Sequence, residues 1–154
     1  MKKALRVAGL LLVGAVIGLV GGIYLGYAYV GRPMQAWHAL ATAAWAGNIA
    51  QHQYENAGYT EAREALLHYI KVMKDLSSRP ELELGRPAHT DMGLAYTRLA
   101  LLSEANGNAT EAHEFMQRAV DEARLGGWKE PSEEKLRSFV ARIDRPRVAK
   151  PPGA

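Results

Sequence analysis

From Val7 to Val30 the chain runs 24 residues without a charged side chain. At about 1.5 Å per residue a helix of that length spans roughly 36 Å, enough to cross a hydrocarbon core of about 30 Å with some tilt. Lys2, Lys3 and Arg6 precede the run, and only Arg32 follows closely. The positive-inside bias then keeps residues 1–6 in the cytoplasm and exports the chain beyond the run. Tyr24, Tyr27 and Tyr29 gather at its far end, where a ring with a polar tip suits the headgroup layer. A cleaved signal peptide is the alternative. Its apolar stretch would be about 7–15 residues long and end at a small-x-small site. The run here is longer, and its best such site, Gly26-Tyr27-Ala28, is followed by another tyrosine. An uncleaved signal anchor over residues 7–30 is therefore expected.

Gly14, Gly18, Gly22 and Gly26 recur every four residues within the run. Residues four apart lie on nearly one face of a helix, so these four form a shallow groove. A second helix can approach such a groove closely, because van der Waals contact is what drives association in lipid. Self-association and packing on a partner subunit both fit, so a homo-oligomer through this helix is one expectation.

Charge divides the chain in the same place. Three of the 19 basic residues precede the run, and the other 16 balance the 16 acidic ones. The net charge of +3 thus reflects topology, and no nucleic-acid surface is expected. The chain has no cysteine, which excludes disulfides, thiolate metal sites and a cysteine nucleophile. The five histidines, His38, His52, His68, His89 and His113, include no pair at i, i+3 or i, i+4. No zinc-protease, phosphate-loop or nucleophile-elbow motif occurs. Catalytic residues, metal and cofactor are expected to be none, and the chain is not expected to be an enzyme.

After Pro33 the apolar spacing is helical throughout. Met34, Trp37, Ala41, Ala44, Trp45 and Ile49 predict a helix over 33–57 with that face packed inward. Trp37 and Trp45 are eight apart on it; packing on the second helix is the favoured role for both, with a seat in the membrane interface layer or docking of a partner as the alternatives. Gly58 breaks this helix. Thr60 is expected to cap the next, with Ala62, Leu66, Tyr69, Ile70 and Met73 on its apolar side. Residues 77–89 read as a polar loop with Pro80 and Pro87. Thr90 opens a third helix with Met92, Ala95, Tyr96, Leu99 and Leu102, stopped by Asn106-Gly107. Thr110 caps a fourth with Phe115, Met116, Ala119, Val120 and Ala123, ended by Gly126-Gly127. Trp128 is expected to fold back onto this last hairpin. Ser132 opens a short fifth helix with Leu136, Phe139, Val140 and Ile143, suited to capping a core. Pro146, Pro151 and Pro152 make residues 146–154 a disordered tail.

Gly58-Tyr59-Thr60-Glu61-Ala62 recurs loosely as Asn108-Ala109-Thr110-Glu111-Ala112, 50 residues on. Around these turns the chain resembles the tetratricopeptide repeat family. In the second copy Tyr96, Leu99, Ala100, Gly107, Ala112, Met116 and Ala119 fall at that family's packing positions. In the first, Ile49, Ala50, Ala62 and Leu66 do so, and Ala46 stands where a large ring is usual, with Trp45 beside it as a substitute. Ser103 and Met116 depart from the family's aromatics, and no proline closes a repeat. The resemblance covers about residues 44–125 and, joined to the uncharged run and the helical spacing, gives an expected all-α fold: one transmembrane helix, then antiparallel helical hairpins over 33–145 with a C-terminal capping helix. It further implies binding of a protein partner along the first helix of each pair, at Thr97, Leu101 and Glu104 in the second copy. The whole is expected to be a single-pass protein of a bacterial inner membrane, with its helical domain in the periplasm. It would hold or assemble other proteins there. The alternative is a small accessory subunit of a larger membrane complex, with the glycine-rich helix as its packing element.

Overall fold

A computed structural model describes Leu19, Gly22, Ile23, Gly26 and residues 31–144. The chain divides into two compact units, Met1–Leu40 and Ala41–Ala154. The described residues form five α-helices and no strand. These are α1 Arg32–Asn56, α2 Tyr59–Ser77, α3 Gly85–Ala105, α4 Ala109–Leu125 and α5 Glu133–Ile143. The fold class is all-α.

In the first unit, Leu19, Gly22, Ile23 and Gly26 are helical and exposed. Most of the expected span over 7–30 lies outside the described residues, as does the tail over 146–154. Among the described residues no helix is long and apolar enough to cross a membrane.

The core of the second unit follows the helical period. On α2, Ala62, Leu66, Ile70, Met73 and Leu76 are buried at spacings of three and four, one apolar stripe of an amphipathic helix. The helix starts at Tyr59, one residue before Thr60. Gly58 in extended conformation occupies the capping position without a side-chain hydrogen bond, so Thr60 is not its cap. Thr110 does not cap α4 either. Asn108 does, its side chain accepting from the Glu111 N–H at 3.3 Å. Ser132 caps α5 as expected, accepting from the Lys135 N–H at 3.3 Å.

The expected polar loop is largely helix. A 3₁₀ turn covers Pro80–Leu82, and α3 begins at Gly85, five residues before Thr90. Pro87 is its third residue, where a helix leaves the backbone N–H without an intrahelical partner in any case. The proline therefore marks a helix start, not a loop. Ala88, fully buried, donates its N–H to the Leu84 carbonyl at 2.8 Å. At the other end Gly107 takes a φ of +81° and donates to the Glu104 carbonyl at 2.9 Å, closing the helix as a left-handed residue does.

α3 is the central element, packed most extensively against α4 and then α2. It is therefore buried on two sides, with Met92, Gly93, Ala95, Thr97, Leu99, Ala100, Leu102 and Ser103 all inside. A Cβ on Gly93 would lie 3.2 Å from both the Ala119 carbonyl oxygen and the Ala123 nitrogen. The bare glycine lets the α3 and α4 backbones meet there. Each fully buried leucine here, Leu99 and Leu102, contributes about 1.5–3 kcal/mol by leaving water.

α1 packs on the opposite choice of residues from the one its hydrophobicity suggests. Ala46, Ala50 and Tyr54 are buried, Ala46 to 3 % exposure, while Trp45 is 65 % exposed. A Cβ on Gly47 would lie 3.2 Å from the Tyr69 ring of α2. At that point the bare glycine makes room for the Tyr69 ring. The expected inward face, with Met34, Trp37, Ala41, Ala44 and Trp45, is exposed. Trp45 does not substitute for a ring at Ala46. Trp128, expected on the last hairpin, lies edge-on to Phe139 of the following helix α5 at 5.2 Å.

Candidate interaction surface

The turn repeated in the sequence becomes a polar hub. The Glu111 carboxylate, at the start of α4, accepts from the Tyr59 hydroxyl at 2.7 Å and from Arg63 at 2.7 and 3.2 Å, both on α2. It also accepts from the Ser103 hydroxyl of α3 at 2.9 Å. Ser103 is buried; a small polar residue fits where its hydroxyl can reach this carboxylate and a large ring could not. Tyr59, Arg63 and Ser103 as donors hold the Glu111 carboxyl below its ordinary 4.5, and the carboxylate in turn raises Arg63. One acid thus joins three helices.

A second hub joins α1 and α3 to Asp144, the residue that follows α5. Arg98 of α3 donates to both Asp144 oxygens, at 2.6 and 2.9 Å. Gln51 of α1 donates to Asp144 at 3.3 Å. The Arg98 guanidinium lies 5.9 Å from the centre of the Tyr54 ring, within cation–π range. Both charged side chains are mostly buried, at 13 and 7 % exposure. Nearby, the Tyr69 hydroxyl donates to Asp91 at 3.1 Å. Burial raises the Asp91 carboxyl against the opposing pull of Tyr69 and Arg98, and burial raises the Tyr69 hydroxyl as well. Arg137 of α5 donates to both Glu104 oxygens of α3 and to Glu133. These bonds hold the Glu104 carboxyl low. The Arg137–Glu104 and Arg98–Asp144 pairs run in opposite order along the two helices, so α5 lies antiparallel along α3.

The three residues expected to form the partner surface do not share one open face. Thr97 is fully buried, its hydroxyl donating to the Gly93 carbonyl at 2.8 Å. It stands on the side of α3 that the close approach at Gly93 turns toward α4. Leu101 is half-buried, and Glu104 is exposed but held by Arg137. Along α3, Leu94 and Leu101 are half-buried, while Arg98 between them is 13 % exposed and taken up by Asp144 and Tyr54. The expected register is displaced because α4 and α2 flank α3 and α5 lies along it as well.

Of the glycines expected to pack a second membrane helix, Gly14 and Gly18 lie outside the described residues. Gly22 and Gly26 are helical, and a Cβ on either would meet nothing within 4 Å. The five histidines do not converge: His89 of α3 bonds Glu122 of α4 at 2.6 Å, and His113 bonds Gln117 on its own helix. Among the described residues no group of three or more histidines and acids is placed to hold a metal ion. Two open hollows of about 340 and 390 Å³ flank α5 and are lined largely by polar side chains such as His113, Gln117 and Glu133, and Ser132, Lys135 and Ser138.

Arg98, Asp144, Gln51 and Arg63 escape sequence reasoning. Their partners are 46 to 93 residues away, beyond any local pattern. Glu111 and Tyr59 carry a signal, as parts of the two copies of the repeated turn. Compared with family models, with curated proteins and with solved structures, the chain matches none.

Proposed function

We propose that the chain is a membrane-tethered, tetratricopeptide-like helical module that holds another protein at the outer side of the bilayer. The observation that carries this reading is the stacking of two sequence-related hairpins through their repeated turn, with Glu111 of one copy accepting from Tyr59 and Arg63 of the other. Stacked hairpins of this kind build extended binding surfaces from the first helix of each pair. Here the part of that surface left open is Leu94 and Leu101 of α3. The tether is the uncharged run over 7–30 behind Lys2, Lys3 and Arg6.

A photoreactive amino acid at Leu101 in the full chain, in cells, tests the reading against the same label at Gln117 on α4. A discrete protein adduct from position 101 and none from 117 is expected. Equal labelling from both, or none from 101, overturns it. The four-residue glycine spacing favours a second reading, an accessory subunit held by its membrane helix. In that case replacing Gly18 and Gly22 by Ile releases the partner while the position-101 label stays idle.

A further inference from the structure

Between Arg32 and Glu55 the chain carries no Asp, Glu, Lys or Arg for 22 residues. By contrast α4 has six such residues in 17 and α5 five in 11. A helix that faces water on one side normally places charges there. The first part of α1 places Met34, Trp37 and Leu40 there instead, at 56, 70 and 43 % exposure. All three lie within the first unit, and Gln35 and His38 between them are exposed as well. The segment is too apolar for water on that side. It is also too polar to cross a bilayer, since no described helix is apolar enough to do so.

One environment satisfies both halves of this composition. The headgroup layer accommodates indole rings, whose N–H finds acceptors while the ring stays in apolar surroundings, and neutral amides and imidazoles remain hydrated there. The chain leads directly into that layer. The uncharged run ends at Val30, and Trp37 comes seven residues later, roughly 10 Å of helix. Gly31 sits in a π-helical turn, with Pro33 two residues on. A π turn and a proline are the irregularities at which a helix changes direction.

We propose that residues Met34–Leu40 of α1 lie in the headgroup layer of a lipid bilayer, with the Trp37 ring inserted beside the acyl-chain ends. This rests on the tether reading above. The occupant is lipid because the exposed apolar side chains continue a charge-free sequence already suited to lipid. A second copy or a protein partner on the same face is an outcome that overturns the proposal.

The three tryptophans make the test direct. The full chain is reconstituted into phosphatidylcholine–phosphatidylglycerol vesicles as two single-tryptophan variants. One keeps Trp37 (Trp45→Phe and Trp128→Phe), and the other keeps Trp128 (Trp37→Phe and Trp45→Phe). Circular dichroism checks that each retains its helix content, and vesicle flotation checks attachment. Phosphatidylcholine brominated at the shallow end of its acyl chains should quench Trp37 about twofold, while Trp128, packed on Phe139, stays unquenched. If the protein floats and Trp37 is quenched no more than Trp128, the headgroup seat is wrong and the tether stands. If Trp37 is then also shielded from acrylamide, protein covers it instead. If the protein fails to float, the tether is wrong and this inference falls with it.

Discussion

α1 and α5 are opposite solutions to the same problem. α5 has 11 residues and five formal charges, buries Leu136 and Val140, and sends Arg137 onto two carboxylates. α1 has 25 residues with formal charge only at Arg32 and Glu55, buries alanines, and leaves both of its tryptophans out. The larger apolar side chain is not always the one that goes inside. Which side a helix buries depends on the room its neighbour leaves, and against Tyr69 that room fits Gly47. Charge marks the same contrast on the other side: the outer face of α5 is charged, and that of α1 is neutral and aromatic.

Truncations measure the contrast between buried and outward side chains. Leu99→Ala, in the fully buried centre of α3, should cost about 3 kcal/mol in chemical denaturation. A loss below about 1 kcal/mol would mean that α3 is not the central helix. Asp144→Ala should cost about 2 kcal/mol, because it strands the Arg98 guanidinium with little access to water. Glu111→Gln should cost about 1–2 kcal/mol by weakening charge-assisted hydrogen bonds to three donors.

The Glu111 effect has a pH signature. Its folded pKa lies below the ordinary 4.5, so its contribution is complete above that value. It is lost as pH falls through the lower folded one, and the gap between wild type and Glu111→Gln should close once pH lies below it. Asp91 has the opposite sign. Burial raises its folded pKa above 3.8, so the charged form is penalised at neutral pH and the penalty is relieved as pH falls. Asp91→Asn keeps an acceptor for Tyr69 and should stabilise the fold at neutral pH by less than about 1 kcal/mol, with the gain gone in acid. The smallest effect is expected at Trp45→Ser, within about 0.5 kcal/mol in detergent solution, as for exposed positions generally. A large loss there would erase the contrast with α5.

The fold is legible wherever one helix face meets one neighbour. Ala62, Leu66, Ile70 and Met73, and likewise Phe115, Met116 and Ala119, are buried at the positions their spacing predicts. Legibility fails at α3, because a helix packed on two sides has no single stripe, and the buried Thr97 therefore reads as an outward residue. It fails at Pro87, since a proline in a first turn and a proline in a loop look alike in one sequence. It fails at α1, where side-chain size at the interface outweighs hydrophobicity. The hubs at Glu111 and Asp144 join residues far apart in the chain, and only the folded arrangement brings them together.

Asp144 has a mechanical consequence. It is the residue through which any pull on the chain beyond α5 must pass, and it is gripped by Arg98 of α3 and Gln51 of α1. Load applied from that end therefore reaches α3 and α1 directly as well as α5.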